Sequence, residues 1–92
     1  MRERDIEKAL CLEVLRRGGI CEKWNAATSG WPDRIVIFDG GRIAFVELKA
    51  PGEKPRPLQL KRHMMLRAKG FAVYVIDDTK RIGGVLDEIC SS

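Results

Sequence analysis

The stretch that decides the fold runs from Gly30 to Lys49 and reads GWPDRIVIFDGGRIAFVELK. Two runs rich in β-branched and aromatic residues, 34–38 and 42–46, lie on either side of the sequence Asp-Gly-Gly at 39–41. Such runs joined by a short glycine-containing segment are typical of a β-hairpin. We therefore predict a hairpin at the centre of the chain, with the other elements packed around it.

The length of the hairpin loop decides which side chains share a face of the sheet. If 40–41 alone formed a two-residue turn, Arg34 would lie opposite Glu47, and Asp33 and Glu47 would point to opposite faces. A three-residue loop of 39–41, with a glycine in the left-handed conformation of a G1 bulge, would instead place Asp33 opposite Glu47. Both carboxylates would then point to the same side.

We predict the second register, in which Phe38 faces Arg42 and Asp33 faces Glu47. Because side chains alternate along a strand, Lys49 then lies on the same face as Glu47. Two carboxylates and one ammonium group would meet where the two strands end. The sequence therefore predicts a polar site at this end of the hairpin.

These residue types are the ones that a metal-dependent phosphodiesterase requires. Asp33 and Glu47 would bind Mg2+ or Mn2+, waters would fill the other octahedral positions, and the Leu48 carbonyl is a further candidate ligand. The metal would lower the pKa of an attacking water, while Lys49 would hold that water or stabilise the pentavalent phosphorus. The simpler alternatives are an ordinary turn at Pro32-Asp33 and a surface ion pair between Glu47 and Lys49.

The motifs resemble those of a known nuclease family. Pro32-Asp33 followed by Glu47-Leu48-Lys49 resembles the PD-(D/E)XK signature. The wider set formed by 30–33, 45–51 and Gln59 is similar to the VRR-Nuc family in particular, and the similarity covers nearly the whole chain. The resemblance implies the PD-(D/E)XK fold, a metal-dependent nuclease activity and an orienting role for Gln59.

The resemblance also implies that an acid on the first helix completes the site. Glu3, in the pattern Glu3-Arg4-Asp5-Ile6, matches that acid, and Glu7 is the rival candidate. Small stand-alone members of the family, from phage and bacterial genomes, resemble Holliday-junction resolvases in being homodimers that cut branched DNA. A homodimer acting on branched DNA is therefore the expectation for this chain.

Composition and length bound the remaining possibilities. The 92 residues are 45% hydrophobic, so we predict one small domain spanning 1–92. No apolar run approaches the roughly 20 residues of a membrane span, and the charged first residues do not resemble a signal peptide. These features favour a cytoplasmic location, and the family resemblance implies a bacterial or phage-infected cell. Cys11, Cys21 and Cys90 are odd in number and widely spaced, which predicts free thiols.

The segments around the hairpin predict the rest of an α/β fold with a mixed central sheet and flanking helices, in the order α-β-β-β-α-β-α. The last helix would be capped by 77–79 and interrupted by Gly83-Gly84. The other predicted elements are a helix from Glu3 to Arg17, an edge strand from Ile20 to Trp24, a helix from Pro57 to Lys69 and a doubly covered strand from Phe71 to Ile76.

Positive charge is concentrated beside the proposed site. Between Lys49 and Lys69 the chain has seven basic residues and one acid, a local net charge of +6 on a chain of net charge +4. Such a segment attracts phosphates. The candidate nucleic-acid contacts are Lys54, Arg56, Lys61 and Arg62.

The second predicted helix also carries two polar residues on one face. Gln59 lies in its first turn, where its amide could bind a metal-bound water, a phosphate or Lys49. His63 follows four residues later and is expected to be structural.

These observations predict a divalent-metal-dependent DNA endonuclease. Two alternatives remain open at this stage. One is a nuclease that prefers flaps, nicks or duplexes, and the other is a noncatalytic basic module that binds nucleic acid.

Overall fold

The computed structural model describes residues 1–91 and shows one four-stranded mixed sheet flanked by helices. The strand order is β1-β2-β3-β4; the first two pairings are antiparallel and the third is parallel. This arrangement confirms the predicted fold class and element order. The elements are α1 (Glu3–Arg16), β1 (Ile20–Lys23), β2 (Arg34–Phe38), β3 (Arg42–Leu48), α2 (Pro57–Ala68), β4 (Ala72–Ile76), a 3-10 turn (Thr79–Arg81) and α3 (Ile82–Ser91).

The hairpin has the register predicted from the three-residue loop. Phe38 pairs with Arg42 and Arg34 pairs with Val46, so the next positions outward are 33 and 47. Gly40 and Gly41 have φ angles of 80° and 71°. Residues with a Cβ rarely adopt these angles, so the loop depends on both glycines.

Helices cover both faces of the sheet. On one face, α1 and α3 pack against alternate β3 residues, among them Ala44 and Val46. On the other face, Leu66 of α2 packs against Phe45 and Val73. Since side chains alternate along β3, residue 47 shares the α2 face with Phe45. The predicted site therefore lies on the α2 side of the sheet, just beyond its apolar cluster.

The last helix differs from the prediction in one respect. Asp78 accepts a hydrogen bond from the Lys80 backbone N–H in the 3-10 turn, as expected of a cap, but Gly83-Gly84 do not interrupt α3. Each interior glycine costs a helix about 1 kcal/mol. Burial of four apolar side chains, each worth roughly 1.5–3 kcal/mol, is enough to hold the helix together. These side chains are Ile82, Val85, Leu86 and Ile89.

Other boundaries agree with the predicted ones to within one residue. The helix ends fall at Arg16 and Ala68, and β4 begins at Ala72. Trp24 lies outside β1, although its N–H donates to the Asp33 carbonyl at 3.0 Å. Within residues 1–91 no helix has the length and apolar character needed to cross a membrane.

Candidate active site

The two acids of the hairpin lie at adjacent strand ends, and the carboxylate of Asp33 is tied to the backbone of the neighbouring strand. The Leu48 N–H donates to Asp33 Oδ2 at 2.8 Å, so the Asp33 carboxylate is held against β3. In a strand, the N–H and C=O of one residue point to the same neighbouring strand. The Leu48 carbonyl therefore points toward the Asp33 side of β3. This orientation suits its predicted role beside the carboxylates.

Glu47 is buried beneath α2, and its two oxygens have separate partners. Only 1% of the Glu47 surface is exposed to solvent. The Gln59 Nε2 donates to Glu47 Oε2 at 3.1 Å, and His63 Nε2 lies 3.2 Å from Glu47 Oε1. The Arg56 backbone N–H donates to Gln59 Oε1 at 2.8 Å and so fixes the direction of the amide. Gln59 thus contacts Glu47, which was not among the partners predicted for it.

The electrostatics of this pair favour a bound cation. Burial, followed by the negative charge of Asp33, raises the pKa of Glu47 to about 8, while Lys49 opposes the rise. The Glu47 carboxyl group therefore retains its proton near neutral pH, and a divalent cation could replace that proton. In residues 1–91 no three His, Cys, Asp or Glu side chains are placed to hold a metal ion. The Asp33 and Glu47 carboxylates can therefore hold a metal ion only if the Leu48 carbonyl and water molecules complete its coordination shell.

The two acids of α1 have different surroundings. Glu7 Oε2 accepts a hydrogen bond from Arg34 Nε at 2.8 Å. Glu3 is exposed at the start of the helix, and its pKa is raised by partial burial first and by the charge of Asp33 second. The Lys49 ammonium lowers the same pKa, so Glu3 lies within the field of the site. This placement favours Glu3 over Glu7 as the supporting acid.

Lys49 follows directly after β3 and is almost completely covered. Its residue is 8% exposed, and its backbone N–H donates to the Ile76 carbonyl at 3.0 Å. The charge of Lys49 acts on the pKa of Glu47 and also on that of His63, which is lowered chiefly by burial. No salt bridge within 4.0 Å holds the Lys49 ammonium in the described chain. The ammonium group therefore lies beside the carboxylates without being neutralised by one of them.

A polar cavity of about 260 Å³ adjoins Asp33 at the mouth of the site. It is large enough for several waters. A larger cavity of about 520 Å³ lies between α1 and β1, away from Glu47 and Lys49. The residues around the smaller cavity are Glu3, Glu7, Lys23, Trp24, Asn25, Trp31, Pro32 and Asp33.

The predicted nucleic-acid contacts do not have equivalent surroundings. Lys54, Arg56 and Lys61 are exposed. Arg62 is half-buried: its guanidinium lies 4.6 Å from the centre of the Trp31 ring, and its Nε donates to the Ser29 carbonyl at 3.1 Å. A guanidinium so placed stabilises the loop before Asp33. Arg62 thus has a structural contact that the sequence analysis did not anticipate.

Two other contacts were not predicted. His63 contacts Glu47. The sequence indicated only that His63, four residues after Gln59, lies on the same helix face as Gln59. Cys11 Sγ and Cys21 Sγ lie 3.2 Å apart, although the three cysteines are free as predicted. Burial, followed by the contact with Cys11, raises the pKa of Cys21 to about 12. No sequence spacing connected these two thiols.

Known proteins resemble this chain in sequence and in fold. No family model matches the sequence. A phage protein from Acyrthosiphon pisum secondary endosymbiont phage 1, named "Putative nuclease p44", is 50% identical over 78 residues, which is 84% of each chain. A solved structure described as a VRR_NUC domain superposes with a TM-score of 0.86 at 32% identity, covering 92% of this chain and 94% of that one. The chain therefore belongs to the VRR-Nuc family of PD-(D/E)XK nucleases and is a hydrolase that acts on nucleic acid.

Proposed function

We propose that this nuclease is a divalent-metal-dependent DNA endonuclease and that its natural substrate is branched DNA such as a Holliday junction. The observation that carries the metal dependence is the burial of Glu47 beside Asp33 at one end of the hairpin, with Lys49 on the same face. Two adjacent carboxylates repel each other, and this repulsion is relieved when a cation binds between them. Mg2+ or Mn2+ suits an all-oxygen set of this kind.

Each residue of the site then has a distinct task. Asp33, Glu47 and the Leu48 carbonyl would hold the metal, which when bound supplies a more acidic water and positive charge at the phosphate. Lys49 orients the attacking water and stabilises negative charge that grows on the phosphoryl oxygens. Glu3, at the start of α1, faces the same site and would hold water through its carboxylate.

The surrounding charge supports nucleic acid as the substrate. The exposed side chains of Lys54, Arg56 and Lys61 lie on α2 or in the segment before it, and α2 also carries the Gln59 that contacts Glu47. Cationic groups placed beside a cleavage site attract the phosphate backbone and make binding depend on salt concentration. We assign these three residues to backbone contacts that do not depend on base sequence.

The branched substrate and the dimer rest on the family resemblance. Resolving a four-way junction requires two cuts in strands of like polarity, and one site of this size makes one cut. A symmetric homodimer would supply the second site. We propose that the active species is such a dimer, acting in the cytoplasm of a bacterial or phage-infected cell.

The experiment is a cleavage panel with labelled four-way, flap and linear DNA, each tested with Mg2+, Mn2+ or EDTA. We expect metal-dependent, symmetric cutting of the four-way junction by the wild type and cutting that is about 10²- to 10³-fold slower by Lys49→Ala. The control is Lys80→Ala, an exposed lysine outside the site. Cutting mainly of flaps would overturn the proposed preference for four-way junctions. DNA binding without cleavage in the presence of either metal would overturn the proposed endonuclease activity.

A further inference from the structure

We infer that His63 is a positioning residue that holds Glu47 in the orientation needed to bind the metal. This inference rests on the proposed metal-dependent function. The residue is 1% exposed, and its Nε2 lies 3.2 Å from Glu47 Oε1. A buried histidine in contact with one acid therefore lies directly behind the proposed metal ligand.

His63 and Gln59 form a pair of contacts on one face of α2. They are four residues apart, so their side chains leave the helix on the same side. Gln59 contacts Oε2 of Glu47 and His63 contacts Oε1. Each carboxylate oxygen has two lone pairs, so one hydrogen bond at each oxygen still leaves a lone pair for a metal.

The direction of the His63 hydrogen bond follows from the chemistry of the ligand. An ionised carboxylate only accepts hydrogen bonds, so His63 must carry a hydrogen on Nε2 when Glu47 binds a metal. The neutral imidazole tautomer with Nε2–H meets this requirement. His63 can therefore act as a donor without adding positive charge next to the metal.

Two donors restrict the carboxylate more than one. With Gln59 alone, the Glu47 carboxyl group could rotate about the single fixed oxygen. Loss of a partner that orients a metal ligand typically lowers metal affinity or activity by about 10- to 100-fold. We expect a loss of this size when the donor at position 63 is removed.

The test compares His63→Leu, which fills the space without a donor, with His63→Gln, whose amide N–H can reach a similar point. Met64→Leu is the matched control, because Met64 is the next residue on α2 and is 69% exposed. Mn2+ affinity is measured by isothermal titration calorimetry, kcat and KM on a DNA junction by cleavage, and folding by thermal unfolding in EDTA. Should His63→Leu not fold, His63→Asn, whose shorter amide falls short of Glu47, replaces it.

The expected result is that His63→Leu binds Mn2+ about 10- to 100-fold more weakly and loses kcat with little change in KM. His63→Gln should regain most of the affinity, and Met64→Leu should match the wild type. Equal Mn2+ affinity in folded His63→Leu and wild type, or an equal loss in His63→Leu and His63→Gln, would overturn the inference alone. A wild type that neither binds Mn2+ nor cuts DNA would overturn the proposed function as well.

Discussion

Replacing Glu47 with glutamine should remove a large pH dependence from the stability of the metal-free protein. In the folded chain the pKa of Glu47 is raised from 4.5 to about 8, because the carboxyl is buried and faces Asp33. Between these two values the folded protein holds a proton that the unfolded chain has released. The free energy of unfolding therefore falls as pH rises through this window.

The size of the effect follows from the two pKa values. They differ by about 3.5, and each pKa unit corresponds to about 1.36 kcal/mol, so the full loss is about 5 kcal/mol. Small domains are stable by only about 5–15 kcal/mol, so a loss of this size is easily measured. The Glu47→Gln variant has no carboxyl at this position and should lack the loss.

The assay is urea denaturation of both proteins in EDTA at several pH values from 5 to 9. We expect the wild-type curve to fall by several kcal/mol relative to that of Glu47→Gln. Because the two proteins share most of their other titrating groups, the difference between the curves isolates the carboxyl pair. Parallel curves would refute the argument that Glu47 is buried as an acid next to Asp33. Saturating Mn2+ should restore wild-type stability at high pH, because the metal binds the ionised carboxylates.

Three further predictions concern the surroundings of the carboxylates. Lys49→Met should bind Mn2+ within a few-fold of the wild-type affinity, as measured by calorimetry. It should cut DNA about 10²- to 10³-fold more slowly, because the ammonium group that stabilises negative charge on the phosphate is lost. Unchanged cleavage would contradict this role. Arg62→Gln should alter the tryptophan fluorescence spectrum and lower the unfolding temperature, because the cation over Trp31 is lost; an effect on DNA binding alone would assign Arg62 to the substrate. Gly30→Ala should destabilise the fold by roughly 1–3 kcal/mol in urea denaturation, because Gly30 has a φ of 89° and the new Cβ would lie 2.7 Å from Leu58 Cγ. A stability equal to that of the wild type would contradict both the backbone strain and the clash at this position.

The hairpin register was predictable because it depends on local chain chemistry. The loop at 39–41 requires glycines, and strand alternation then fixes the faces of Asp33, Glu47 and Lys49. Periodicity similarly located α1 and α2 to within one residue at their ends. The site residues that depend on one hairpin were therefore accessible from the sequence.

Contacts between distant elements were not predictable in the same way. Gln59 and His63 were placed on one helix face, but nothing local showed that this face would cover Glu47. Arg62 looked like a surface cation because its Trp31 contact forms only when α2 packs against the preceding loop. The continuity of α3 across Gly83-Gly84 likewise depends on tertiary burial, which outweighs local helix propensity.

Anomalous diffraction from crystals grown with Mn2+ would test the central claim most directly. We predict one manganese peak per chain, with carboxylate oxygens of Asp33 and Glu47 and the Leu48 carbonyl as its protein ligands, each about 2.0–2.3 Å away. His63 and Gln59 should remain hydrogen-bonded to the Glu47 carboxylate while it binds the metal. A manganese peak bound elsewhere, or none at a concentration that supports cleavage, would contradict the account.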